Sequence, residues 1–397
     1  MAFVNANVIP MDRQRVLPDQ TVLVEGTMIT QVGPTQRVRV PRGTRVIDAR
    51  GKYLIPGLID VHVHLAGTRE EQLAILKVFV AQGVTTVLNM RGTPEHLALR
   101  AQVAEGQVPG PTIFTVGPYV NEPFVSTPDE VERAVVEQKR AGYDFVKMHG
   151  DLTREAYARL NAVGRREGIR IIGHAPRTLG LDAMFEERQY AVAHAEEFIY
   201  DRQHSSRDFE KVEPQIPSLA RRMVDAGIWL MPNLTAFRNI GEQLRNLDSM
   251  LARPEMRALP ATVREGWGPA TNPYTRRMGP EQHPRIMARH ALLQKLTLGL
   301  HAAGVRLLLA TDAMNTGTVP GYSAHDELGE LVAAGLSPYE ALRTATSNAA
   351  AFLGSNYRSG TIAAGRNADL VLLDANPFEN IANTRRITGV MVRGRWQ

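Results

Sequence analysis

The stretch from about residue 55 to 354 alternates between strand-like and helix-like spacing, and this alternation limits the fold more than any other feature. Short apolar runs suited to buried strands occur at Leu58–His64, Thr85–Met90, Thr112–Val116, Phe145–Met148, Ile169–His174, Tyr190–His194, Ile228–Asn233 and Val305–Thr311. Segments of helical spacing lie between them, such as Glu70–Gln82, Pro128–Ala141 and Arg154–Glu167. Each helix returns the chain to the same end of a sheet, so the strands must run parallel. Eight such units over ~300 residues predict an α/β fold of the distorted (β/α)8 TIM barrel type, with chemistry at the C-terminal ends of the strands. A polar, Pro- and Arg-rich insertion from about Leu251 to Pro284 separates the last two units and reads as a helical excursion or a lid.

Both chain ends have another texture. Val22–Thr27, Met28–Gly33, Arg37–Val40 and Arg45–Asp48 alternate apolar and polar residues between Gly and Pro punctuation, and Asp369–Asp374 and Ile387–Gly394 do the same. Neither end is large enough to bury a core alone. The expected arrangement is a small composite β-sandwich made from residues 1–54 and 355–397, attached to a barrel over 55–354.

Composition narrows the function. With 44% hydrophobic and 22% charged residues the chain matches soluble globular proteins. It contains no apolar run approaching the ~20 residues of a membrane span. The segment Met1–Val8 reads as strand rather than as a leader, so a cytoplasmic location is expected, although a leader trimmed from a precursor is compatible with the sequence. The net charge of +5 is spread over pairs such as Arg165-Arg166 and Arg276-Arg277, without the aromatic interleaving of a nucleic-acid surface. Neither nucleic acid nor membrane is an expected partner. The absence of cysteine leaves nitrogen and oxygen as the only metal ligands.

Candidate ligands stand at the ends of the predicted strands. His62 and His64 are one residue apart, which places both on one face of a strand. The fourth run carries Lys147, the fifth ends at His174 and the sixth at His194, and Asp312 directly follows the eighth. Singly each has a plain structural alternative: a snorkelling lysine, satisfied core histidines, a helix N-cap. Together they form a metal-ligating set. Lys147 is the unusual member, since only six of the 46 basic residues are lysines and an ammonium repels metal ions. Burial would make it neutral, and a neutral amine can take up carbon dioxide as a carbamate, an anionic N6-carboxylysine able to bridge two ions. Two divalent ions are expected, one at His62, His64 and Asp312, the other at His174 and His194, most simply Zn²⁺.

These residues, with Pro56-Gly-Leu-Ile-Asp-Val-His-Val-His64, Ala310-Thr-Asp-Ala313, Gly335–Ala350 and Gly365–Asp374, resemble the amidohydrolase superfamily over essentially the whole chain. The resemblance is strongest to imidazolonepropionase-like and Xaa-Pro dipeptidase-like (carboxypeptidase-like) members. It implies hydrolysis of amide or ester bonds at carbon, and a homo-oligomer. Two departures stand out. Lys147 does not fit a one-metal imidazolonepropionase, and Arg177 occupies the place, three residues after His174, where related deaminases carry glutamate. His194-Ala-Glu-Glu197 does have the deaminase spacing.

The expected activity is attack by a metal-bridging hydroxide on the amide of a small molecule, such as an N-acyl amino acid or dipeptide. Asp312 would be the catalytic acid/base. A lactonase or esterase, a heterocycle deaminase and a non-catalytic scaffold are the alternatives. For substrate binding the candidates are Arg91 as a carboxylate clamp, Tyr119 and Asn233 as hydrogen-bonding groups, and His149 and His325. Each also reads as a turn or core residue. His96, His204, His283, His290 and His301 receive no chemistry.

Overall fold

The computed structural model describes residues 1–200, 209–355 and 358–397 of the chain. The N-terminal segment forms β1 (Ala2–Val8), β2 (Leu17–Glu25), β3 (Met28–Pro34), β4 (Val46–Asp48) and β5 (Tyr53–Pro56). The middle of the chain contributes β6 (Leu58–Val63), β7 (Val84–Asn89), β8 (Thr112–Thr115), β9 (Phe145–Met148), β10 (Arg170–Gly173), β11 (Ala191–Ala193) and β12 (Trp229–Met231). The C-terminal segment adds β13 (Leu370–Leu373), β14 (Ile387–Val392) and β15 (Arg395–Trp396).

Strands from the two ends meet in one eight-stranded sheet, ordered β15-β14-β13-β5-β1-β2-β3 with β4 against β1. The joint is antiparallel pairing of β13 with β5, Leu370 opposite Pro56 and Leu373 opposite Tyr53. Alternate side chains, including Phe3, Val22, Ile29, Leu54, Leu370 and Met391, bury one face in a cluster of their own.

The middle strands are parallel, in sheets ordered β6-β7-β8 and β12-β11-β10-β9. Their covering helices include α1 (Arg69–Ala81), α2 (Pro94–Ala104), α3 (Pro128–Ala141), α4 (Arg154–Glu167), α5 (Leu181–Glu187) and α6 (Ile216–Ala226). Local signals set their ends. Thr68–Glu71 and Thr127–Glu130 are capping boxes, and α3 stops at Gly142, whose φ of 90° suits glycine. Further along come α7 (Leu234–Leu251), α8 (Ala261–Gly266), α9 (His283–Ala302), α10 (Tyr322–Ala334), α11 (Pro338–Thr344) and α12 (Ser347–Leu353). Phe352 of α12 is fully buried, stacking on Phe145 and Tyr190 and meeting Trp229 edge-on.

The eighth run, Val305–Thr311, is not a regular strand, which corrects the sequence expectation. It is held by separate backbone contacts on its two sides. Leu230 N donates to Arg306 O (3.0 Å) and Leu308 N to Leu230 O (3.0 Å) on the β12 side. On the β6 side Val61 N donates to Leu309 O (3.1 Å) and Asp312 N to His62 O (2.8 Å). Between the two parallel sheets, Val116 bridges Phe145 and Val120 bridges Met148. The 251–284 insertion is helical in part and carries its own small core of Met256, Leu259 and Trp267 with Met250 and Val319. No helix among the described residues is long and apolar enough to cross a membrane.

Candidate active site

A cavity of about 1080 Å³ opens at the C-terminal ends of the parallel strands. His62 is fully buried in β6, and His64 follows that strand. Lys147 sits in β9, while His174, His194 and Asp312 come directly after β10, after β11 and in the loop that follows Thr311. All six line this cavity.

Their atoms converge. Nε2 of His62 and Nε2 of His64 lie 3.3 and 2.9 Å from Asp312 Oδ1. Lys147 Nζ is 3.4 Å from His62 Nε2. The His194 ring is 4.8 Å from that of His62 and 4.9 Å from that of His174, centroid to centroid. Backbone strain accompanies this: His194 and Asp312 take φ of 72° and 57°, the left-handed region that side-chain-bearing residues rarely adopt.

Burial sets the protonation states. It holds the His62 and His174 imidazoles well below their usual range and His194 at about 3, so all three stand neutral with a lone pair available. Burial also lowers Lys147 to about 8, against the pull of Asp312. For Asp312 burial pushes upward, but His62, His64 and His194 outweigh it and keep the carboxyl well below the usual range.

The donors fit a divalent metal. One ligand atom each from His62, His194 and Asp312 lies within 4.8 Å of the other two. Nδ1 of His62 and Nδ1 of His194 are buried without a hydrogen-bond partner, and the set is neutral nitrogen plus carboxylate oxygen. Lys147 is compatible with such a site only when it has lost its charge.

Two carboxylates that the sequence reading passed over or misassigned hold this set in place. Asp60 is fully buried. Its Oδ1 accepts from His62 N and Thr311 N, each at 3.2 Å, and its Oδ2 from Thr311 Oγ1 at 2.6 Å. An acidic residue inside the run Leu58-Ile-Asp-Val-His was the available signal. Glu197, the candidate deaminase acid/base, lies behind the site instead. Its side chain is fully buried, accepting from His174 Nδ1 (2.8 Å) and Arg177 (3.1 Å), and it does not line the cavity.

Of the substrate candidates, Arg91, Tyr119 and His149 form one wall. The Tyr119 and His149 rings stack at 4.5 Å, and Arg91 Cζ stands 5.6 Å from the Tyr119 ring centre. Burial raises the Tyr119 hydroxyl to about 12, so it remains a donor. Asn233 is fully buried at the start of α7, without a partner for its amide, and does not line the cavity. His325 is a correction. It lies on α10 with Nδ1 2.9 Å from Thr384 Oγ1 and Nε2 3.1 Å from Gln82 O, so both nitrogens serve packing away from the cavity.

The histidines given no chemistry divide similarly. His283, His290 and His301 stay outside the lining, His96 reaches it while bonded to Leu65 O (2.8 Å), and His204 lies outside the described residues. The sequence offered no signal for Tyr274, Arg277 and Met278, which the insertion brings to the cavity wall.

Histidines, a carboxylate and an amine gathered at the C-terminal ends of parallel strands mark an α/β protein of the enzyme type. The model of the Amidohydrolase family matches residues 53–397, and the chain belongs to that family. The fold is similar to that of a Xaa-Pro dipeptidase with bound methionine in its active site, with a TM-score of 0.76 and 18% identity, covering 100% of this chain and 99% of that one. It is similar also to bottromycin amidohydrolase, with a TM-score of 0.79 and 24% identity over 100% and 86% of the two chains. In sequence, an adenine deaminase of Chelativorans sp. (strain BNC1) is 24% identical over 388 residues, 93% of this chain and 53% of that protein. The chain therefore spans about half the length of that relative.

Proposed function

We propose that the chain is a metal-dependent hydrolase of a carbon–nitrogen bond in a small amide, such as an N-acyl amino acid or a dipeptide. The observation that carries this reading is Lys147, a fully buried amine shifted to about 8 and set among His62, His174, His194 and Asp312. A carbamate on Nζ turns the one cation of the ligand set into an anion. His62, His64 and Asp312 would hold one divalent ion and His174 and His194 a second, with carboxylated Lys147 as a further anionic ligand. Zn²⁺ suits these donors. When bound, such ions supply Lewis acidity toward a carbonyl and lower the pKa of water.

The side chains supply the rest. Asp312 takes a proton on its carboxylate and delivers it to the departing nitrogen, its Oδ2 steadied by Asn315 Nδ2. Glu197 fixes the His174 tautomer by accepting from Nδ1, which leaves Nε2 free. Tyr119 donates to the oxygen that gains charge, and Arg91 takes a substrate carboxylate. An ester or lactone would suit the same groups. The deaminase reading loses support because Glu197 is turned away from the cavity.

The same proposal includes a barrel over 55–354, with Val305–Thr311 as its closing segment, and a terminal sandwich from 1–54 and 355–397. The contacts of Val305–Thr311 to both β12 and β6 support the barrel. The test is metal content together with turnover of N-acyl amino acids, Xaa-Pro dipeptides and lactones, on wild type and Lys147→Ala, with and without a short carboxylate. Two ions per chain, with activity lost in the variant and partly restored by carboxylate, is the expected result. One ion and an indifferent variant would remove the dinuclear site.

A further inference from the structure

The amide reading leaves N-acyl amino acids and free dipeptides side by side, and the charges on the cavity wall separate them. Four guanidiniums line the cavity, on Arg91, Arg177, Arg277 and Arg289, against three carboxylates, on Glu95, Glu196 and Asp312. Asp312 is held by His62 and His64, Glu196 is bonded by the Tyr200 hydroxyl beside Arg177, and Glu95 is exposed, bonded by the Thr93 hydroxyl. Among the described residues no carboxylate lies within 4.0 Å of the Arg277 guanidinium.

A dipeptide carries its α-ammonium one carbon from the scissile carbonyl, so that cation enters the cavity with the reacting group. Here the guanidiniums outnumber the carboxylates on the wall, so a cation carried in with the reacting group is repelled. In an N-acyl amino acid the same position is a methylene. The wall suits a methylene well: Phe237 and Ile240 of α7, Met278 of the insertion and Ile286 of α9 give one apolar face. Phe237 and Ile286 are only 9% and 8% exposed, so this face is supported from behind rather than loose at the surface.

We propose that the cavity selects N-acylated amino acids with a long or aryl acyl group and rejects peptides with a free α-amino group. This rests on the amide-hydrolase reading above. The acyl group lies against the Phe237–Ile240–Met278–Ile286 face, and the insertion, through Arg277 and Met278, is the element that sets the preference. In the reaction water is added across the bond: the acyl carbon gains the oxygen as the C–N bond breaks, and the amino-acid nitrogen gains the proton. The preference is opposite to what the Xaa-Pro dipeptidase likeness alone would suggest.

The experiment compares kcat/KM of the zinc-loaded full chain on N-octanoyl-L-methionine, N-acetyl-L-methionine and L-methionyl-L-methionine. Wild type should prefer octanoyl to acetyl by at least about tenfold, since each buried methylene adds to the discrimination. It should prefer acetyl to the dipeptide by a similar factor of about ten. Arg277→Glu, which offers the ammonium a partner, should raise the dipeptide relative to both acyl substrates. Arg277→Gln should move the ratio the same way by less, and it serves if the glutamate variant does not fold. Equal or better cleavage of the dipeptide by wild type, or a ratio unmoved in both variants, overturns the inference while leaving amide hydrolysis intact. No turnover of any of the three removes the amide reading and this inference together.

Discussion

Replacing Thr311 by valine tests what holds the His62 strand against the segment that ends in Asp312. Thr311 Oγ1 donates to the buried Asp60 carboxylate at 2.6 Å and accepts from Ala313 N at 3.1 Å. Valine keeps the shape, so little packing is lost, and the substitution isolates two hydrogen bonds. Above about pH 7, where the buried Asp60 carries its charge, a hydrogen bond to it contributes about 1.5–3 kcal/mol and an orphaned buried N–H costs about 1–3 kcal/mol, giving roughly 2.5–6 kcal/mol in all. At about 2 °C per kcal/mol for a larger chain, the melting midpoint should fall by about 5–12 °C. Because the bonds also position His62 and Asp312, the proposed metal should bind more weakly, by a factor on the order of ten in competition with a chelator. Thermal melting by circular dichroism and a chelator-competition titration read the two effects separately. An unchanged midpoint with unchanged metal retention would refute the reasoning. The backbone bond from Asp312 N to His62 O would then be sufficient without the Asp60–Thr311 contact.

Other groups make different predictions. Glu327 is fully buried, accepts from Leu234 N (3.0 Å) and Thr235 N (2.7 Å), and is raised by burial from 4.5 to about 8. The folded chain keeps this proton longer than the unfolded one, so the contribution to stability is full below about pH 4.5 and is lost as pH rises toward 8. Over that window the loss approaches about 5 kcal/mol at 1.36 kcal/mol per pH unit. Glu327→Gln should lack this part of the slope in denaturant unfolding followed from pH 5 to 8.5, and parallel profiles for the two proteins would count against it. Glu197→Ala should free the His174 ring and remove the Arg177–Glu197 ion pair, weakening metal binding about 10- to 100-fold in chelator competition. Wild-type affinity in that variant would show that the His174–Glu197 bond does not orient the ligand.

The parts of the site that could be read from the sequence depend on neighbours along the chain. The His62–His64 spacing and the strand-end positions of Lys147, His174, His194 and Asp312 follow from period and local order, and the structure brings these residues together at one cavity. One further local signal was available at Gly173. Its φ is 121°, and a Cβ there would stand 2.1 Å from Met148 O, so the residue before His174 must be glycine for β10 to lie against β9.

What could not be read depends on contacts across the fold. Asp60 meets Thr311 and Glu327 meets Leu234, pairs separated by 251 and 93 positions. Glu197 has the spacing of a catalytic acid, yet the 3-10 turn after His194 rotates it behind His174. His325 was misplaced for a related reason. Its position after Asp312 places it near the site in sequence, but only the packing of α10 against the C-terminal segment decides which way the ring turns. The eighth run shows the same principle in the backbone. Its composition suits a strand, but its residues divide their hydrogen bonds between β12 and β6, and the segment gives up regular pairing to touch both. That division brings Asp312 to His62, so the irregularity that hides the strand also assembles the site.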